Sequence, residues 1–486
     1  MATETPLDIF FAPEGTTFSQ FKVLPVVADG KTYQLRYPLV TAEELTALIT
    51  QLHQAQAEVL APLSVTALVA KLGQAVAYWT DPSYPLRQLA ERLLPAITGY
   101  NAETVRLELK RFVRVFRKKE LQRFLETELD QPAILDDFHP QKSGQLTRTY
   151  GPETAFQVFS GNIPGLQIWS LVMTTLVKAS TLGKTSLSEP LFPVLFIRSL
   201  VQVDPRLAAC FAILPWKGGT KSLETVAARQ TEATIVYGSD QAATSIGQLV
   251  PLDHRFLHYG HKISFAMIGR EALTSDHYLT TIKQVADDIT IYDQQSCLSA
   301  QTIVVEAGGA VTPLMVAQLL AAELENAQLK RPRAQLTQAE AAALIRFRSE
   351  NDLAALADSQ LKVFASKQST AWTVVYHGQP GFAGSPLNRT VHIFQIPHLE
   401  QAPTYLTAYR PYLQSCGLAV GPERLLRLAA RLGQVGVGRI CALGEMTRAQ
   451  AGWHHDGQFN LLDLLRFVDI EHQAELAAEP FDPDVE

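Results

Sequence analysis

From residue 151 onward, short apolar runs alternate with helical stretches of similar size, and this alternation leaves the chain few ways to fold. Residues 156–159, 181–184, 209–213 and 233–237 read as strands, and 166–177, 190–200 and 221–229 between them read as helices. A strand followed by a helix and another strand pairs in parallel, with the helices covering both faces of the sheet. The expectation is an α/β fold with the texture of a nucleotide-binding sheet.

Length sets the number of cores. The chain has 486 residues, and a single core stops growing at roughly 250–300 residues. A second α/β section fills 265–450, with strands at 265–268, 303–306 and 372–376, helices at 277–288, 312–327 and 338–354, and a Gly- and Pro-rich loop, GQPGFAGS, at 378–385. Before residue 135 lie a short extended start and helices at 42–60, 64–80 and 103–129. The expected division is N-terminal helices plus a dinucleotide-binding domain over 1–264, a catalytic domain over 265–450, and a C-terminal segment over 451–486 that returns to complete the site or an oligomer contact. Residues 141–150 stand where an oligomerisation arm of a homo-oligomer is expected, by position alone. The acidic tail 476–486, with its two prolines, is expected to be poorly ordered.

With 47% apolar and 19% charged residues the composition is ordinary for a globular protein. A net charge of −6 argues against a general nucleic-acid binder, which needs a basic surplus to neutralise phosphates. The stretch 110–119, KRFVRVFRKK, is a local exception with six basic residues. Read as a helix it is amphipathic, and its basic face is either simply solvated or a contact for a CoA phosphate or a membrane surface. Cys210, Cys297, Cys416 and Cys441 lie far apart without metal-ligand spacing, so neither a metal site nor a disulfide framework is indicated. The opening, MATETPLDIFFAPEG, lacks a basic region followed by a long apolar one, and no apolar stretch has the length of a membrane span. A reducing cytoplasm is the expected location.

Chemistry begins at the strand ends. The stretch 159–165, FSGNIPG, closes one strand and opens a helix, where backbone donors converge and the Asn162 amide is able to meet a developing oxyanion. Taken alone it is equally good turn chemistry. Lys184 in LGKTSLSEP, with Ser186 after it, ends the next strand, and Gly238 and Ser239 in VYGSD end another. A Lys there suits an adenosine-side phosphate or ribose, and a Gly-Ser at a helix start suits a pyrophosphate, although no GxGxxG loop is present. In YDQQSCLS, Cys297 has polar flanks, unlike a filler cysteine within an apolar run such as the one around Cys210. A thiolate attacks a carbonyl readily and holds the acyl group as a thioester.

The order Asn162, Lys184, Gly238-Ser239, YGHK at 259–262 and Gln295-Ser296-Cys297 resembles the aldehyde dehydrogenase superfamily. GNIPG, GKTSLSEP, QQSC and the late WHHDG at 453–457 resemble more closely the long-chain acyl-CoA reductase (LuxC) family within it, over about Arg148 to Glu471. The resemblance implies an aldehyde dehydrogenase-like fold, a Rossmann-like cofactor domain joined to an α/β catalytic domain. It also implies Cys297 as the nucleophile, Asn162 and the Cys297 N–H as oxyanion donors, and Lys184, Ser186, Gly238 and Ser239 as cofactor contacts. The implied reaction is reduction of a long-chain fatty acyl-CoA or acyl thioester to the fatty aldehyde. An acyl-protein synthetase or acyltransferase is then a possible partner.

Three departures bear on the chemistry. Hydrolytic members carry a Glu as general base where this sequence has His258, and another Glu where it has His392 in VHIFQIP. Loss of the carboxylate base spares a thioester from water, although a neutral His258 remains able to act as a base. Members that use NAD often place an acid three residues after the Lys; here that residue is Leu187, which removes repulsion of a 2′-phosphate and favours NADPH. In 453–457, adjacent histidines on a strand face opposite sides, so only one of His454 and His455 is expected to line a site beside Asp456; a surface turn is the alternative. Two rival readings remain open, a CoA-acylating aldehyde dehydrogenase acting on shorter aldehydes and a non-catalytic acyl-binding subunit.

Overall fold

Five parallel strands form the first sheet, in spatial order Arg255–Tyr259, Ala233–Tyr237, Thr154–Val158, Ser180–Thr185 and Phe211–Pro215. The computed structural model describes residues 6–482. The three central strands of this sheet are buried along their whole length, as expected of strands covered on both faces. Chain order reverses between Thr154–Val158 and Ala233–Tyr237. A crevice opens there beyond the carboxyl ends, and in open α/β sheets it is the usual ligand site.

The second sheet has seven strands, ordered Leu361–Ala365, Thr373–His377, Thr390–Ile396, Ala300–Glu306, Ile263–Ile268, Leu413–Ala419 and Arg439–Cys441. All pairings are parallel except the first. The chain crosses from one sheet to the other in the turn between Tyr259 and Ile263, so that turn carries YGHK between the two layers. Two apolar clusters cover the second sheet: Ile289, Val316 and Leu320 lie in one, and Phe265, Leu406 and Leu428 in the other.

The N-terminal region holds an unanticipated hairpin, Phe21–Ala28 paired with Lys31–Pro38. Its signal is Asp29-Gly30, both at positive φ, the chemistry of a tight two-residue turn. A helix also forms over Pro85–Thr98. The single helix expected over 103–129 is three pieces, Ala102–Val113, a 3₁₀ turn Arg114–Phe116 and Lys118–Leu129, broken where Arg117 is extended. The break lets Phe116 bury against Trp169, with ring centroids 5.3 Å apart, which outweighs helix propensity in a run of like charges. Strand Phe211–Pro215 begins two residues later than expected, because Pro205–Cys210 forms a 3₁₀ turn capped by Asp204.

The C-terminal segment returns. Strand Arg466–Ile470 pairs antiparallel with Leu146–Tyr150, which also pairs with His139–Pro140. The tail expected to lack order forms a helix, His472–Ala478, and a turn, Glu479–Phe481; residues 483–486 lie outside the described residues. Its Ala-, Gln- and Glu-rich start favours helix before Pro480 stops it. Among the described residues no single helix is long and apolar enough to cross a membrane.

Burial has charged consequences. Desolvation pushes His392 and His455 down to about 3 and His377 down to about 4, so all three are neutral in the fold. An unfolded imidazole protonates at about 6.5. Stability contributed by each is therefore present above that pH and lost as pH falls. Glu189 and Asp288, raised by burial to about 7, act with the opposite sign over the same window. The test is thus a difference: the stability gap between the wild type and His392→Gln in urea unfolding is expected to shrink on going from pH 7 to pH 5, by at most about 1.4 kcal/mol per pH unit. A gap independent of pH would contradict a neutral His392.

Candidate active site

Cys297 lies on a loop held by two facing turns. Tyr292, Asp293 and Gln294 all have positive φ, as do Leu387, Asn388 and Arg389. Neither run contains glycine, so each conformation costs free energy that surrounding contacts must offset. Arg389 Nε donates to Asp293 Oδ1 at 2.6 Å, with both side chains almost wholly buried. Its other nitrogens donate to Gln328 Oε1 and the Arg331 carbonyl. Gln294 works the same seam from the next position: its amide donates to the carbonyls of Ala300 and Thr390 and accepts from the Thr390 N–H.

Asn162 is brought to this loop. Its Nδ2 donates to the Gln295 carbonyl at 2.9 Å, two residues before Cys297. Tyr100 ties the two segments together, its hydroxyl donating to the carbonyls of Asn162 (2.8 Å) and Tyr292 (3.3 Å). Ser264 Oγ donates to the Cys297 carbonyl at 2.6 Å, while the Cys297 N–H finds no acceptor in another residue among those described. Asn162 and Cys297 thus sit together, with the Cys297 N–H facing its own thiol.

Both line a single cavity of about 1460 Å³ between the two sheets. Gly238 and Ser239 lie on its wall, the latter capping helix Asp240–Gly247 by accepting from the Ala242 N–H. Lys184 and Ser186 stand behind the wall. Ser186 shares a hydrogen bond with Ser188, which does line the cavity, and a Cβ on Gly161 would meet Ser188 Oγ at 2.0 Å. A larger residue there would have to displace the Ser188 hydroxyl. Lys184 is buried without an ion-pair or hydrogen-bond partner among the described residues, and desolvation lowers its pKa against the pull of Glu224. Ser160 Oγ and Trp216 Nε1 are likewise buried without partners. These unpaired donors at the carboxyl ends of one sheet suit a phosphate- and ribose-bearing cofactor.

The opposite part of the wall is apolar and aromatic. Phe112, Val115, Leu166, Trp169 and Trp453 line it. From Trp169 the rings continue through Trp453, His455, Tyr259 and Tyr237, with centroid separations of 6.4, 4.7, 4.2 and 4.7 Å. Trp169 Nε1 donates to Asn460, whose N–H and amide both donate to the buried Glu128 carboxylate. Arg114, Arg117 and Arg123 stand on the same wall, so the basic stretch is a rim of this cavity.

The two histidines that stand at family Glu positions sit off the cavity wall. His258 is not among the cavity-lining residues; strand side chains alternate, and Tyr259 takes the cavity side while the His258 ring lies beside Gly260. His392 is buried in strand Thr390–Ile396, with Nδ1 3.0 Å from His377 Nε2. The carboxylate on that side of the wall is Glu340, which is 3.5 Å from the Gln295 amide and closes a capping box with Thr337. Of the two late histidines, His455 lines the cavity and His454 is exposed. Tyr100, Arg389 and Glu340 went unread in the sequence. Only Glu340 had a local signal, the Thr-x-x-Glu of its capping box.

Cys297 is not poised as a thiolate in this state. Burial, followed by the negative charge of Asp456, pushes it up to about 12; the Gln414 amide and Lys262 act in the other direction.

A sequence profile described as acyl-CoA reductase (LuxC) matches residues 60–467. The long-chain acyl-protein thioester reductase of Aliivibrio fischeri is 24% identical over 398 residues, covering 81% of this chain and 79% of that one. Its counterpart in Vibrio harveyi is 22% identical over 479 residues, covering 96% of each. Among solved structures, aldehyde dehydrogenase 21 from Physcomitrella patens superposes with a TM-score of 0.71 at 13% identity, covering 96% of this chain and 98% of that one. An NADP-dependent glyceraldehyde-3-phosphate dehydrogenase from Bacillus halodurans does so with a TM-score of 0.72 at 11% identity, covering 95% and 98%. The fold is the aldehyde dehydrogenase fold.

The clamp behind the cysteine is open to a direct test. Removing one partner of a buried ion pair leaves a charge without compensation, so Arg389→Met is expected to lower unfolding free energy by about 3–5 kcal/mol in urea titration. A loss below about 1 kcal/mol would show that the two left-handed turns hold without it.

Proposed function

The chain belongs to the LuxC acyl-CoA reductase family, and from that membership we propose that it reduces a long-chain fatty acyl thioester to the aldehyde, with Cys297 holding the acyl group and NADPH as reductant. The observation that carries the reading is Cys297 with Asn162 in one cavity that has unpaired polar groups at one side and an aromatic, aliphatic wall at the other. An apolar wall of this size suits a fatty chain, and burial of its methylenes stabilises the complex by about 0.8 kcal/mol each.

Acylation joins Cys297 Sγ to the carbonyl carbon of the donor thioester and releases the donor thiol. The donor is a fatty acyl-CoA or an acylated protein partner; relatives carry the name acyl-protein thioester reductase, which supports the second. During attack the carbonyl oxygen gains charge. The Cys297 N–H and the Asn162 amide, released from the Gln295 carbonyl, are the donors within reach. A reduced nicotinamide, when bound, supplies the hydride that takes the thioester to the aldehyde level. Gly238 and Ser239 on the wall would hold it, backed by Ser186 and Lys184 at the neighbouring strand end. No carboxylate stands at the two positions where hydrolytic relatives have one, so water is given little help in competing for the thioester. The three-stranded sheet containing Leu146–Tyr150 is the proposed homo-oligomer contact, with Tyr150 and Phe467 exposed on it.

Tetradecanoyl-CoA labelled in its acyl group is expected to label the wild type through a hydroxylamine-sensitive bond and to leave Cys297→Ala unlabelled. Equal labelling of the variant would remove Cys297 from the mechanism. Cofactor choice has its own test. Leu187 is 44% exposed where an acid would repel a 2′-phosphate. Leu187→Asp is therefore expected to raise the KM for NADPH roughly tenfold, about 1.4 kcal/mol, with little change for NADH. Equal effects on both cofactors would contradict NADPH recognition at this strand end.

A further inference from the structure

The basic stretch, which the reaction itself leaves unused, edges the same cavity as Cys297. Arg111, Arg114, Arg117 and Arg123 line that cavity from the broken helical run 102–129, and Arg448 lines it from near the C-terminal segment. The two parts of the chain touch: a Cβ on Gly452 would meet Thr127 Cβ at 3.2 Å, so the stretch after Arg448 packs on helix Lys118–Leu129. Glu108 and Glu120 are the carboxylates on this rim. Arg111 pairs with Glu108 at 2.8 Å and Arg123 with Glu120 at 2.8 Å, while Arg117 reaches Glu120 only at 3.4 Å. Five arginines thus face two carboxylates, in a chain whose net charge is −6. The Arg114 side chain is exposed and has no partner among the described residues. Arg448 gives Nη1 to Glu445 and keeps Nε buried with no acceptor. Phe112 and Val115, half-buried between the exposed arginines, line the cavity from the same segment.

We propose that this arginine rim binds the phosphates of a fatty acyl-CoA, apart from the unpaired donors at the ends of the five-stranded sheet that suit the reduced cofactor. The inference rests on the reading of the chain as an acyl thioester reductase. A guanidinium is a planar fork that grips phosphate oxygens in pairs and stays charged at any pH the fold meets, so a row of arginines suits phosphate better than a row of lysines would. The pairs already on the rim are exposed and add little by themselves, so exchanging a carboxylate for a phosphate costs little. Acyl-CoA is apolar at one end and anionic at the other. A segment that carries both half-buried Phe112 and Val115 and exposed Arg114 and Arg117 has a surface for each end. Two polyanions then have two places, and CoA has no need to displace the nicotinamide cofactor.

The double variant Arg114→Gln, Arg117→Gln is compared with Arg106→Gln, a control on the same helical run whose arginine pairs with Glu103 and is not on the cavity wall. Two substrates are reduced by each protein: tetradecanoyl-CoA and S-tetradecanoyl-N-acetylcysteamine, which lacks the phosphates. The ratio of their kcat/KM values, CoA thioester over phosphate-free thioester, is expected to fall roughly tenfold for each rim arginine lost and to hold in the control. An unchanged ratio in the double variant would overturn the proposal and leave the rim to an acylated protein with an acidic surface. An equal fall in Arg106→Gln would overturn it too, as the sign of general charge alone. If the wild type reduces neither thioester, the reductase reading fails and calorimetric titration with CoA decides about the rim. CoA binding is expected to weaken in the double variant and to persist at saturating NADPH; no binding, equal binding by both proteins, or displacement by NADPH would rule the phosphate site out.

Discussion

The buried pair between Arg389 and Asp293 is the contact on which the site depends. It joins two glycine-free left-handed turns, one leading into Cys297 and the other into strand Thr390–Ile396. A pair of this kind adds little net stability over an apolar replacement of equal volume, because desolvation offsets most of the attraction. Its value is register. With Gln294 bonded to both Ala300 and Thr390, the cysteine loop is fixed to the starts of two interior strands of its own sheet. Cys297 therefore presents its thiol from a rigid support, and Asn162 meets that support through the Gln295 carbonyl.

Everything else in the cavity is arranged around that fixed point by two layers and two chain ends. Parallel strands direct their carboxyl ends to one crevice, so residues far apart in sequence, such as Gly161, Ser188 and Ser239, converge without long loops. The aromatic rings from Trp169 to Tyr237 supply the opposite wall. They come from an N-terminal-half helix, the late WHHDG stretch and two strands of the five-stranded sheet. Polar contacts hold one side of the cavity and ring packing the other.

What was legible in the sequence follows from the range of the forces involved. The strands and helices after residue 151 announced themselves through local periodicity, and strand Ala233–Tyr237 was read to the residue. Cys297, Asn162, Gly238 and Ser239 stand together because motifs at strand ends depend on local turn chemistry. Arg389 and Tyr100 were invisible for the opposite reason. Their roles are set by carbonyls and carboxylates brought near only by the tertiary fold, and an isolated Arg or Tyr carries no spacing to betray that. His258 and His392 occupy expected positions in the motif order, yet strand alternation and a histidine partner turn them from the cavity. The basic stretch read as one helix is broken because Phe116 gains more by burial than the helix gains by continuing.

The buried Glu128 carboxylate accepts from the N–H groups of Asn460 and Leu461, joining residues more than 330 positions apart. Trp169 and Trp453, which form the cavity wall, are both fastened to that same Asn460. A contact of such sequence separation closes one of the largest loops the chain is able to make, and loop closure must be met before the contact repays it. During synthesis the N-terminal helices and the five-stranded sheet emerge long before their last wall. The nascent protein therefore holds Cys297 before it holds the whole of its cavity, and the aromatic wall at Trp453 is the last part of the fold to be completed.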